Sequence, residues 1–148
     1  ELSRGRLLLN SRNQRGDVKE RLISVSNNGG ATWDTSFFDS VLIDPVCQGS
    51  IVNIGWKQNK AVLAFSNAAS RTKRDSLTIR VSLDEGATWK YSLLLDHNTA
   101  ITKGDHTAYG DLVLINKNNL GVLYERNGYK EIFFRPLSIK KNYQLWKK

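Results

Sequence analysis

The sequence predicts an all-β chain of short antiparallel strands, and three observations carry that prediction. Apolar segments are brief, β-branched or aromatic, and punctuated at close intervals by Gly, Asn, Asp and Ser. Several alternate, as in Leu77-Thr78-Ile79-Arg80-Val81, where Leu77, Ile79 and Val81 face one way and Thr78 and Arg80 the other. An eight-residue stretch, Ser26-Asn27-Asn28-Gly29-Gly30-Ala31-Thr32-Trp33, recurs 56 residues later as Ser82-Leu83-Asp84-Glu85-Gly86-Ala87-Thr88-Trp89.

In chain order the strands are expected at Arg6 to Ser11, Arg21 to Ser26, Phe37 to Ile43, Ile51 to Trp56, Ala61 to Ser66, Leu77 to Leu83, Tyr91 to Leu95, Asp111 to Ile115, Gly121 to Glu125 and Glu131 to Leu137. The alternation implies one buried and one polar face for each sheet. The repeated pattern Ser-x-Asp-x-Gly-x-Thr-Trp suits a hairpin turn. Its Asp or Asn (Asn28, Asp84) can bond the local backbone, its Gly (Gly30, Gly86) supplies a positive φ, and its Trp (Trp33, Trp89) packs beside the next strand. With Ser26 and Ser82 these residues form a folding device rather than a site. A period near 50 residues with about four strands per unit is that of a β-propeller blade. At 148 residues the chain holds fewer than three such periods, so either it is about half a propeller that closes against another segment, the favoured reading, or the repeat belongs to a smaller sandwich.

The length suits one domain and leaves no room for a second. Hydrophobic residues make up 40% and charged residues 24%, which excludes a disordered chain, and the run Ala61 to Phe65 is far short of a membrane span. Cys47 has no partner for an internal disulfide. Methionine is absent and the chain opens mid-pattern at Glu1-Leu2 without a signal-peptide apolar region, so it reads as a segment of a longer product that lacks any targeting sequence the whole would carry. The net charge of +8 invites a nucleic-acid reading, but the basic residues are scattered, with small concentrations at Arg71-Thr72-Lys73-Arg74, Lys140-Lys141 and Lys147-Lys148. No recognition helix or RNA-binding aromatic motif accompanies them, so no nucleic-acid partner is expected, and a positive surface equally favours acidic glycans. His97 and His106 are nine residues apart and sit in no ligand-spaced cluster, so no metal is expected.

The two octapeptides resemble the Asp-box of sialidases, with Asn28 replacing the usual Asp in the first copy. The surrounding segments are similar to the C-terminal half of a retaining exo-α-sialidase over nearly the whole chain. Glu1 to Asn13 resembles the family's Glu-Leu-x-x-Gly-Arg-hydrophobic stretch, and Asp44-Pro45-Val46-Cys47-Gln48-Gly49-Ser50 its Cys-Gln-x-Ser turn. Phe65-Ser66-Asn67 followed by Arg74 to Ser82 resembles the segment bearing an active-site arginine. Thr107 to Leu112 followed by Gly121 to Glu125 resembles the nucleophile segment and the strand after it.

The resemblance implies a six-bladed β-propeller, of which this chain supplies roughly three blades of four-stranded sheets. It also implies removal of terminal α-linked sialic acid from glycoproteins, glycolipids or oligosaccharides. Sialic acid carries a carboxylate on its anomeric carbon, so a carboxylate nucleophile would approach against like charge, and a tyrosine hydroxyl avoids that repulsion. The resemblance gives the nucleophile's role to Tyr109 and that of its base to Glu1. Guanidinium groups match a carboxylate bidentately, and Arg21 and Arg74 look like the second and third of the family's three arginines. Arg12, Arg71 and Arg80 are near enough in sequence to compete. Glu125 looks like the carboxylate that orients the first arginine, and Gly110 stands where the family commonly has Ser.

The first arginine and the acid/base residue would belong to the N-terminal half of the same propeller, and without them this chain alone is expected to be inactive. No cofactor is implied, and the family's substrates suggest a secreted, periplasmic or cell-surface location. The rival reading is a non-catalytic sialoglycan-binding, lectin-like propeller. Retention of Tyr109 and Glu125 favours the enzyme.

Overall fold

A computed structural model describes residues 1–99 and 104–139, apart from the Thr35 side chain; the lysines after residue 139 lie outside the described residues. Ten strands follow a short 3-10 turn at Ser3–Gly5: β1 (Leu7–Arg12), β2 (Glu20–Ser26), β3 (Thr35–Ile43), β4 (Gly49–Lys57), β5 (Lys60–Ala68), β6 (Leu77–Ser82), β7 (Tyr91–Asp96), β8 (Thr107–Asn116), β9 (Asn119–Arg126) and β10 (Glu131–Ser138). They form three antiparallel sheets, β1-β2-β3, β4-β5-β6-β7 and β10-β9-β8. All ten expected strands are present. No helix among the described residues is long and apolar enough to cross a membrane.

The expected three four-stranded sheets are corrected to one of four strands and two of three. The turns show how the sheets correspond. One Asp-box follows β2 and the other follows β6, so β1-β2-β3 match β5-β6-β7. The place that β4 occupies in the second sheet is held in the first by the chain at Leu2, whose N–H donates to the Arg6 carbonyl at 2.8 Å.

The expectation of one polar face fails for the middle sheet, because neighbours cover it on both sides. Val62, Ala64, Leu77, Ile79 and Val81 pack against Leu112, Leu120, Val122 and Tyr124 of the third sheet. On the other face Ala61 and Leu63 meet Leu2, and Phe65 meets Ile23 and Leu42 of the first sheet. Thr78 is therefore buried and Arg80 largely so. Trp89 joins the first two sheets. Its ring lies 5.9 Å from that of Phe65, and its indole N–H donates to Asp39 of β3 at 2.9 Å. The outer sheets expose apolar side chains, Trp33, Phe37, Phe38 and Val41 on one side and Leu123, Ile132 and Phe134 on the other.

Both Asp-boxes close by the same bonds. Ser26 Oγ donates to Asn28 Oδ1 at 3.0 Å and accepts from Gly30 N at 2.9 Å, while Thr32 N donates to Asn28 Oδ1 at 2.9 Å. In the second box the matching distances are 2.7, 2.8 and 2.9 Å. Gly86 has φ +87°, and a Cβ there would stand 3.0 Å from Leu8 Cδ1, so the turn and the packing of the first sheet both require glycine.

The boxes differ at the position where Asn28 replaces Asp. Asn28 Nδ2 donates to Thr32 Oγ1, whereas Asp84 Oδ2 accepts from Thr88 Oγ1 at 2.6 Å. Burial opposes the charge on Asp84, but bonds from Thr88 and Ser82 outweigh it and hold the carboxyl below its ordinary value of 3.8. A depressed carboxyl pKa stabilises the fold fully above the unfolded pKa, and the contribution is lost as pH falls through the folded value. The melting-temperature gap between wild type and Asp84→Asn is therefore expected to shrink as pH falls from about 5 to about 3. A gap that stays constant over that range rejects the charge-assisted turn.

Candidate active site

The residues that converge lie at the ends of strands away from the Asp-boxes. β1 ends there with Arg12, paired with Arg21 at the start of β2. The 69–76 segment leaving β5 carries Arg74, β8 enters through Tyr109, and β9 leaves through Glu125.

Tyr109 owes its placement to an irregularity. The β8-β9 register shifts between Thr107 and Gly110, so Ala108 and Tyr109 form a bulge, and such bulges re-aim side chains. Ala108 turns inward and is buried, while Tyr109 is 41% exposed. Its backbone N–H donates to Glu125 Oε2 at 3.1 Å, and the next N–H, of Gly110, donates to Gln48 Oε1 at 2.9 Å. A Cβ at position 110 would stand 3.0 Å from the Leu123 carbonyl and 3.1 Å from Tyr124 Cβ, so glycine lets β8 lie close on β9 here. Behind the strand, Ser50 of β4 bonds the Asp111 carboxylate and accepts from Leu112 N at 3.0 Å. These bonds fix the tyrosine's backbone from two neighbouring strands.

Two guanidinium groups meet the Tyr109 side chain. Arg12 Nη1 donates to its hydroxyl at 3.4 Å across 97 residues of sequence, and the Arg74 Cζ lies 5.2 Å from its ring centroid. Arg74 is held by the chain around it, its N–H donating to Asp105 Oδ1 at 2.9 Å and its carbonyl accepting from His106 N at 2.8 Å. The Cys47 thiol lies nearby, and burial pushes it up to about 11, so at neutral pH it is a protonated thiol rather than a nucleophile.

Among the expected residues, Tyr109, Arg74 and Glu125 come together. Arg21 is buried, 2% exposed, with Nε on Asn10 Oδ1 at 2.6 Å, Nη2 on the Asn10 carbonyl at 3.0 Å, and Nη1 on the Cys47 carbonyl at 2.7 Å and Asp44 Oδ1 at 3.3 Å. Its donors are engaged inside the protein, and Arg12, its partner on the neighbouring strand, is the arginine at Tyr109. Arg71 pairs with Glu20 at 3.0 Å, and Arg80 reaches Asn67 between the sheets.

Glu1 is not brought to Tyr109. The 3-10 turn after it is tied to the second Asp-box by Ser3 N donating to Glu85 Oε1 at 2.7 Å and by the Arg6–Glu85 ion pair. From there β1 runs roughly 17 Å to Arg12, at about 3.4 Å per residue. Glu1 lines a groove with Lys60, Glu85 and Gly86, whereas Tyr109 lines a separate cavity of about 370 Å³ with Gln48, Asp111, Glu125 and Ile132. Among the described residues no carboxylate is hydrogen-bonded to the Tyr109 hydroxyl, and no group of three or more His, Cys, Asp or Glu is arranged to hold a metal ion.

An all-β array of packed antiparallel sheets, two of them with an Asp-box turn between neighbouring strands, with arginines and a tyrosine gathered at one end, defines a BNR-repeat protein of propeller type. The chain matches the family described as "BNR repeat-like domain" over residues 1–128, and it belongs to that family. It is 34% identical over 95% of its length to a sialidase of Bacteroides fragilis and 35% identical over 84% to a sialidase of Micromonospora viridifaciens. It covers 25% and 19% of those proteins, about a quarter or less of their length. The solved structure of a Hadza microbial sialidase superposes on 92% of the chain with a TM-score of 0.74 at 33% identity, the chain covering 26% of it.

Proposed function

We propose that this chain is the C-terminal portion of the catalytic domain of a retaining exo-α-sialidase, a six-bladed propeller that removes terminal α-linked sialic acid from glycoconjugates. The observation that carries the reading is the convergence of Arg12, from β1, and Arg74, from the segment between β5 and β6, on the side chain of Tyr109. In this reading the two guanidinium groups hold the sialic acid carboxylate, the single anionic feature that sets this sugar apart. That carboxylate sits on the reacting carbon, so holding it also sets the anomeric centre over the phenol oxygen.

Tyr109 Oη gives its proton to a base supplied by the rest of the protein and attacks the anomeric carbon while the acid/base residue of the N-terminal half protonates the departing aglycone. Water, deprotonated by that same residue, then hydrolyses the glycosyl-tyrosine with net retention and the phenol regains its proton. Glu125, through the Tyr109 backbone N–H, fixes where the phenol stands and remains in reach to orient a further arginine. The remaining blades, supplied by the rest of the same protein, would cover the exposed apolar side chains of β3 and of the third sheet. A secreted, periplasmic or cell-surface location fits a glycan substrate.

The rival, a sialoglycan-binding propeller without chemistry, has the same use for the arginines but none for a tyrosine set on a bulge between them. The full-length protein of which this chain is a part is expected to release 4-methylumbelliferone from its α-sialoside, whereas the 148-residue chain alone is inactive. A folded full-length protein that binds sialic acid yet releases no fluorophore establishes the lectin instead.

A further inference from the structure

Arg74 donates Nη1 to the Tyr129 hydroxyl at 3.2 Å, and that hydroxyl donates to Asp105 Oδ2 at 2.6 Å. The other oxygen of Asp105 already holds the Arg74 backbone N–H at 2.9 Å. One carboxylate thus grips the arginine twice, at its main chain directly and at its guanidinium through a phenol. Tyr129 reaches this position from the turn between β9 and β10, where it adopts φ +67° after Asn127 and Gly128. A bulky side chain rarely occupies that region, and when it does the surroundings hold it there. Closing the turn requires no phenol; what a tyrosine adds is a hydroxyl that accepts from Arg74 and donates to Asp105.

The consequence falls on the orientation of the guanidinium. An exposed arginine rotates about several bonds, and a bidentate pairing with a carboxylate requires one rotation among them. Anchoring Nη1 to Tyr129, with Cζ 5.2 Å from the Tyr109 ring centroid, narrows those rotations before a ligand arrives, which lowers the ordering cost of binding. We propose that Tyr129, backed by Asp105, is a positioning residue that sets Arg74 over Tyr109 and makes the site discriminate a ligand carboxylate from its uncharged isostere. The proposal rests on the reading of this site as a sialic acid carboxylate site.

The test compares inhibition of the full-length protein by 2-deoxy-2,3-didehydro-N-acetylneuraminic acid and by its carboxamide. In Tyr129→Phe the preference for the carboxylate is expected to fall about tenfold, with KM raised similarly and kcat within a few-fold. Asp105→Asn, which keeps the shape but weakens the hold on the phenol, is expected to lower the same ratio by a smaller factor. A ratio unchanged in both variants overturns the positioning role, since a merely structural residue would lower stability without altering that discrimination. A wild type that shows no preference for the carboxylate overturns the sialic acid reading together with the proposal, so the two failures are told apart.

Discussion

Tyr109→Phe in the full-length protein is expected to lower hydrolysis of 4-methylumbelliferyl α-sialoside by at least about a thousandfold, with product binding changed by no more than a few-fold. The substitution removes one oxygen and little else. The ring remains for the Arg74 guanidinium, whose Cζ lies 5.2 Å from its centroid, and the bulge is held by backbone bonds to Glu125 and Gln48 that a phenylalanine keeps. Arg12 loses its 3.4 Å contact to the hydroxyl but keeps its place at the end of β1, where the proposed reading has it hold the substrate carboxylate. A phenol serving only as a wall or a hydrogen-bond donor would, on removal, reduce turnover by a factor nearer ten. Steady-state rates and sialic acid titrations on the same preparation separate the two cases. A variant retaining more than about a tenth of the activity removes Tyr109 as nucleophile.

The strands and turns were legible because their causes are local. Alternating apolar residues, β-branched segments and turn residues specify a strand within a few positions, and both Asp-boxes close with bonds inside their own eight residues. Less legible was what depends on neighbouring sheets. Thr78 and Arg80 read as a polar face, and the first sheet covers them. The start of β8 was placed at Asp111, but the strand begins at Thr107, because the bulge that turns Tyr109 outward interrupts the alternation by which a strand is recognised. For the candidate site, the resemblance alone names Tyr109, Arg74 and Glu125, which lie together in the structure; composition leaves them as surface side chains. Arg12 and Arg21 show where the sequence ran out. They sit opposite each other on adjacent strands and so share a face, and only the bonds from Asp44 and the Cys47 carbonyl, remote in sequence, bury Arg21 while Arg12 stays exposed. Glu1 stands apart from Tyr109 in the structure for a related reason, since the short distance in sequence to Arg12 spans the whole length of a strand.

That pair of arginines supports the second large effect. Arg21→Met is expected to destabilise the protein by about 3–5 kcal/mol, whereas Arg12→Met leaves stability within about 1 kcal/mol and raises KM for a sialoside. Arg21 is 2% exposed and Asp44 1%, and Arg21, the Cys47 N–H and Asn67 Nδ2 surround the Asp44 carboxylate. Taking the guanidinium away leaves that carboxylate buried with neutral donors alone, and also strands the carbonyls of Cys47 and Asn10. The penalty is therefore the unmatched desolvation of Asp44 more than the loss of an attraction. Consequently Arg21→Met combined with Asp44→Asn is expected to be less destabilised than the sum of the single changes, because the second substitution discharges the group that the first leaves alone. Urea unfolding followed by tryptophan fluorescence reads all four members of the cycle. A stable Arg21→Met whose only defect is a raised KM would return the carboxylate-binding role to Arg21 and remove it from Arg12.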